Sequence, residues 1–317
     1  MKRVPFVAVA AMMTAVVALF PILAGDSIAH LVGRRAQMEP GNFALILYLE
    51  VCRGLATAIA LVAAIILLVR SSDRADARAL TFFLLFFALA YQKVFGAIAY
   101  PGPLQEKLTM WLLGHGVSRP VLGWLFGPLP WAVWPALAAI LRFSVVFPQP
   151  PLSAELIDSS GSHDRTGMMR GAGVAGADIG AVFRRLSKQL LAAGAYRVTP
   201  LWAAAVALVA VTTVLDRTAR NALLLILAPV GIALVITNLR ACFGVVREDA
   251  IPRMRRLGRG FLIAGALLLA ASLPLLVSNN PGVTIPALMI LMIATVIITV
   301  CLAAGALTMT RHPESRF

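Results

Sequence analysis

The chain has 317 residues, of which 60% are hydrophobic and only 13% charged; its mean hydropathy is +0.87 and its net charge +14. A soluble domain carries about a quarter charged residues, whereas the apolar residues here fall in blocks of about twenty, the length a helix needs to cross a bilayer core. The blocks do not alternate with period two, which excludes a barrel, and helices are the other structure that satisfies every backbone amide within a membrane.

The predicted class is therefore all-α, a polytopic transmembrane bundle of about eight spans: 4–24, 43–69, 79–98, 120–147, 199–215, 221–241, 260–278 and 284–309. The first begins with Lys2 and Arg3 and reaches small residues at Ala24 and Gly25, the outline of a signal peptide. Its apolar stretch is longer than a usual signal core, and it is read as a retained anchor; cleavage would leave seven spans.

The second span carries Glu50 and Arg53, three residues apart and so on one helix face. Counted from Phe43, they lie about 10 and 15 Å deep. Either the two neutralise each other inside the bilayer, or residues 43–53 form an interfacial helix before a shorter span. The third span carries Tyr91, Gln92 and Lys93. Charged groups inside spans are costly and face protein or water, so Glu50, Arg53, Gln92 and Lys93 form the candidate cluster for ligand binding or helix coupling. Lys93 has the alternative of snorkelling to the interface.

Four of the five tryptophans lie between residues 111 and 134. Trp111 and Trp124 fit an aromatic belt, while Trp131 and Trp134 pack deeper between helices. Arg142, near the end of the fourth span, reads as a snorkelling anchor, and His115 as structural. A loop follows at 148–198, dividing the chain into four-span halves, 1–147 and 199–317. Its first part is rich in proline, serine and glycine and reads as turns. Its second part reads as a helix over 177–197. Ile179, Val182, Phe183, Leu186, Leu190 and Leu191 line one face, with Arg184, Arg185 and Lys188 toward the other. Such a helix lies in the interface plane against anionic lipid, or docks on a partner. Two tight connections complete the pattern, at 216–220 and at Ser278 to Gly282.

Orientation follows from the basic residues. With the N-terminus inside, 19 of the 28 lie on cytoplasmic segments, six on outer segments and three within spans. Both ends are thus expected in the cytoplasm, and this placement accounts for the net charge without nucleic acid. Cys52, Cys242 and Cys301 have no ligand partners at metal spacing, so no metal is expected. No cofactor is expected either. Zinc-protease, nucleophile-elbow and phosphate-loop signatures are lacking, as is a pair of intramembrane aspartates. Gly171 to Gly180 is a linker. The longest loop contains no substantial core pattern, so the chain is read as non-enzymatic.

Three stretches in order carry a family resemblance. Leu68-Val69-Arg70 with Asp73 precedes Ala77-Arg78-Ala79-Leu80; Leu141-Arg142-Phe143-Ser144 closes on Phe147-Pro148; and Asn238-Leu239-Arg240 precedes Arg247-Glu248-Asp249-Ala250 and the basic run Arg253 to Arg256. Together they resemble the N-terminal multi-span membrane region of bacterial sensor histidine kinases, over about residues 65–280. The outer segment Ala24 to Gly33 is similar to the extracytoplasmic insert that some of these kinases carry. The dimerisation helix and ATP-binding domain of that family have no counterpart here. The resemblance thus implies a sensor-like inner-membrane protein acting through a separate partner, such as a histidine kinase. Arg247, Arg253, Arg255 and Arg256 would make the contact, and the bilayer is the other partner. The rival expectation is a small-solute transporter or permease subunit with Glu50, Arg53 and Lys93 on its pathway. An intramembrane enzyme of lipid metabolism is the third.

Overall fold

The computed structural model describes residues 3–95, 102–119, 132–147, 174–215, 217–243 and 280–311, with a few positions between them. All regular structure among the described residues is helical. Four helical segments, Phe6–Gly33, Pro40–Ser71, Ala222–Leu239 and Gly282–Ala304, are long and apolar enough to cross a membrane, which makes this a membrane protein. Two shorter apolar helices, Val133–Val146 and Val198–Val214, accompany them. The bundle also turns bulky apolar groups outward: Leu55, Val62 and Val69 of the second helix are exposed. In water a surface of that kind would aggregate; against lipid it is the low-energy face.

Helix α1 (Arg3–Gly33) runs nine residues past the predicted end of the first span. Pro21 lies inside it. Proline removes one backbone hydrogen bond, and the buried side chains of Val17, Leu23 and Ala24 on either side carry the helix across that gap. The segment from Ala24 to Gly33, expected as an extracytoplasmic insert, is therefore the last third of α1. A 3-10 turn at Arg35–Gln37 follows, with the Arg35 guanidinium over the Phe43 ring at 5.7 Å. Pro40, at the first position where its missing N–H is harmless, opens α2 (Pro40–Ser71). No break separates residues 43–53 from the rest of α2, so they do not form a helix of their own.

After a tight turn, α3 (Ala75–Phe95) carries Asp76 in its first turn, where the buried carboxylate takes two hydrogen bonds from the Arg74 guanidinium and one from the Ala77 amide. A carboxylate in the first turn also meets the positive end of the helix dipole. A helix absent from the sequence expectation, α4 (Pro103–Gly114), lies in the 98–120 connection. Next comes α5 (Val133–Val146), the described part of the fourth predicted span.

Helix α6 (Val174–Ala192) ends five residues short of the predicted 197. The cause is Gly194, at φ +68°. Its N–H reaches the Leu191 carbonyl and the Ala195 N–H reaches the Leu190 carbonyl, the paired bonds of a glycine-terminated helix. The chain then enters α7 (Val198–Val214) and α8 (Arg217–Phe243). The last helix, α9 (Pro281–Arg311), starts three residues before the predicted 284. Asn280 accepts the Gly282 N–H and Pro281 takes the first helical position, so a sequence that reads as a turn is in fact a helix start.

Helix α2 is central, packed along α1, α3 and α9, while α3 and α5 join it to α7 and α8. The core where these meet is aromatic: Phe82 stands edge-on to Phe6 at 5.3 Å and to Trp202 at 5.6 Å. Trp134 is fully buried, its indole N–H bonded to the Thr212 hydroxyl at 3.3 Å. Because α5 packs on both α3 and α7, the two halves share one core.

Candidate functional site

Two polar layers interrupt this apolar bundle. The first lies between α1 and α2. Arg53 Nη2 donates to Glu50 Oε2 one helical turn back, and both side chains are buried, at 6% and 2% exposure. Glu50 is the eleventh residue of α2 and Arg53 the fourteenth, so the pair sits about 15–20 Å along the helix. Small residues let α1 come close here: a β-carbon on Gly54 would lie 3.4 Å from that of Ala24. The helices run antiparallel, so stepping from this contact toward their connection brings Ser27 and Glu50 into the next layer. The pair bond carries the Arg53 guanidinium into that layer as well.

Ser27 is 1% exposed, and its hydroxyl has no hydrogen-bond partner; the Arg53 Nε–H has none either. The start of α4 closes over the same place. Asp26 Oδ2 accepts the Leu104 N–H at 2.8 Å, so α1 caps α4 across 78 residues of sequence. Gly102 sits so close that a β-carbon there would be 2.1 Å from Asp26 Oδ2 and 2.9 Å from the Ser27 nitrogen. Only glycine fits that approach.

Of the four predicted cluster residues, the structure joins Glu50 and Arg53. Gln92 and Lys93 lie on the backbone of α3, and their side chains are outside the described residues. Counting from the turn between α2 and α3, Lys93 is as far from Ala75 as Arg53 is from Ser71, 18 residues in each case, so the backbones place them at one level.

The second layer is uncharged except at its rim, and sequence reasoning did not find it. Asn238 of α8 donates from Nδ2 to the Ser144 hydroxyl of α5 at 3.1 Å, and its Oδ1 accepts the Ser187 hydroxyl of α6. The Tyr196 hydroxyl approaches Ser187 at 3.5 Å. All four side chains are buried. Arg142 Nη1 donates to the Tyr196 carbonyl at 2.9 Å, so this residue braces the turn after α6, where a lone snorkelling anchor was expected. Val145, Ile157, Tyr196 and Ala241 pack beneath, with Leu190 and Leu191 against them. The result docks α6 onto α5 and α8 through Ser187 and its leucines. Arg185 is then exposed and Arg184 and Lys188 half-exposed along α6. One sequence signal pointed this way: a serine and an asparagine inside apolar periodic stretches need buried partners.

The expected partner-contact residues Arg247, Arg253, Arg255 and Arg256 lie outside the described residues. Among the described residues no group of three or more histidine, cysteine, aspartate or glutamate side chains is placed to hold a metal. Comparison of the chain with protein-family models, with curated proteins and with solved structures finds no match in any of the three.

Proposed function

We propose that this chain is a sensor-like or signalling-accessory protein of the bacterial inner membrane, which acts through a separate partner and carries out no catalysis of its own. The observation behind this reading is the buried Ser144–Asn238–Ser187–Tyr196 network. It ties the basic helix α6 to two helices of the bundle, so a shift of α5 against α8 moves α6 rather than being lost in a loose loop. A satisfied polar network holds one arrangement over its alternatives, as a relay between membrane and partner requires.

The proposal includes eight spans with both ends in the cytoplasm, supported by the excess of basic residues on the segments that would then be inside. In that orientation α6 and the basic run Arg247, Arg253, Arg255 and Arg256 face the cytoplasm together. The resemblance to the membrane region of sensor histidine kinases makes a kinase the partner of first choice.

The test is affinity purification of the tagged chain after mild membrane cross-linking, with mass spectrometry of what is retained. Recovery of a histidine kinase or other signalling protein is expected, with loss when Arg253, Arg255 and Arg256 are replaced by glutamine. Recovery of an ATPase or permease subunits, or of the chain alone, overturns the reading. One observation favours that second reading: the Glu50–Arg53 pair lies deep in a membrane-length helix, where pathways for small solutes carry their charges. Under it, Glu50→Gln abolishes solute flux while the protein remains folded.

A further inference from the structure

The layer between α1 and α2 holds two buried polar groups with nothing to bond, and the protein's own habits make them unusual. Hydroxyls inside these helices normally bond back to the carbonyl four residues earlier: Thr57 to Arg53, Thr81 to Ala77, Thr295 to Leu291 and Thr299 to Thr295, all at 2.7–2.8 Å. This is the default where lipid offers no alternative. Ser27 is as deeply buried as these threonines and does not do it. Its hydroxyl is held for something else. In the same layer the Arg53 guanidinium spends Nη2 on Glu50 and keeps Nε–H free. An orphaned donor of this kind is costly unless a partner arrives.

The charges around the layer decide what that partner is. Among the described side chains, Glu50 and Arg53 pair with opposite charge, and the Asp26 carboxylate is occupied by the N-terminus of α4. A net charge added at this depth would go uncompensated. Both orphans donate, and a carbonyl oxygen accepts two hydrogen bonds through its two lone pairs. The geometry points to a ligand site in which the Ser27 hydroxyl and Arg53 Nε–H together hold the oxygen of an uncharged carbonyl compound. The wall that α1 contributes is apolar, with Leu23, Ala24 and Leu31 buried on the face that carries Ser27. The ligand class is therefore a neutral ketone, quinone, ester or amide with an apolar body. It reaches the site from the lipid or from the water; the chemistry at the oxygen is the same. This site supplies the cue that the sensor-like reading leaves open. It rests on that reading for its consequence only, since binding is measured apart from partner capture.

Benzophenone is a suitable probe, being a neutral ketone that on irradiation inserts into C–H bonds close to its carbonyl. The full chain in phospholipid nanodiscs is irradiated with benzophenone or with a membrane-impermeant derivative bearing an uncharged oligo(ethylene glycol) tail, and labelled peptides are mapped by mass spectrometry. Labelling concentrated on the turns of α1 and α2 around Ser27 and Glu50, and reduced about fivefold by Ser27→Ala, supports the site. Labelling there by benzophenone alone assigns entry from lipid; labelling by both assigns entry from water. Labelling spread over the lipid-facing residues and unchanged by Ser27→Ala overturns the proposal. So does a lack of labelling in the layer, which would leave a bound water as its occupant. Ser27→Ala removes one buried, unbonded hydroxyl and uncovers no charge, so the variant folds; its elution as a single monodisperse peak checks that. Partner capture that fails while labelling persists rejects the relay and leaves the site standing.

Discussion

The two polar layers solve the same problem in opposite ways. The layer between α1 and α2 is charged, local and unfinished: an ion pair one turn apart on a single helix, with a serine hydroxyl and a guanidinium N–H left unbonded. The network between α5, α6 and α8 is neutral and long-range, joining residues 51 and 94 apart in sequence, and the side chains of Ser144, Ser187, Tyr196 and Asn238 all find partners. A finished network holds helices in one arrangement, whereas an unfinished layer leaves capacity for another molecule. The difference separates a part suited to transmitting a movement from a part suited to receiving a ligand.

The largest expected effect comes from unbalancing the charged layer. Arg53→Met takes away the guanidinium that answers the buried Glu50 carboxylate and should destabilise the protein by about 3–5 kcal/mol, read as a large fall in melting temperature in detergent. Adding Glu50→Leu should recover most of that loss. If the single variant melts like the parent, the pair is solvated and the contrast between the layers collapses.

Breaking the neutral network should cost less. Asn238→Leu takes the acceptor from the buried Ser187 hydroxyl, while Ser144 keeps its bond to the Leu141 carbonyl, and is expected to lower stability by about 1–3 kcal/mol. It should also expose the backbone around α6 to protease at concentrations that leave the parent uncut. Unchanged cleavage would mean that α6 is held by its leucines alone.

Smaller still are the changes that loosen what surrounds each layer. Gly102→Ala drives a β-carbon into the Asp26 carboxylate and should cost about 1–3 kcal/mol, more than Asp26→Ala, which removes only a cap worth about 1 kcal/mol. The reverse order would place α4 elsewhere. Gly194→Ala puts a β-carbon at a positive φ and is expected to cost about 1 kcal/mol, without changing the melting of a variant already released by Asn238→Leu. Ser27→Ala, in protein freed of ligand, should leave stability within about 0.5 kcal/mol or raise it, because it removes an unbonded polar group.

Much of this molecule was legible along the chain. Hydrophobic block length alone determined an all-helical membrane protein, because a bilayer permits little else. The Glu50–Arg53 pair was legible too, since a separation of three places two side chains on one helix face before any tertiary contact forms. The sequence reading of α6 as an amphipathic helix carrying Arg184, Arg185 and Lys188 rested on the same local periodicity. Helix ends were less legible, as Pro21, Gly194 and Asn280 show: whether proline or asparagine stops, bends or starts a helix depends on what packs beside it.

The tertiary structure alone decided the rest. That Asp26 caps a helix 78 residues away, that Arg142 braces the turn at Tyr196, and that Ser144, Ser187 and Asn238 meet are matters of how helices cross. Sequence spacing within a helix reports its own faces, with period 3.6, and is silent on which face of which neighbour it meets. The unbonded Ser27 hydroxyl belongs to this second class: a serine in an apolar run is ordinary until the packing of α1 on α2 shows that nothing reaches it.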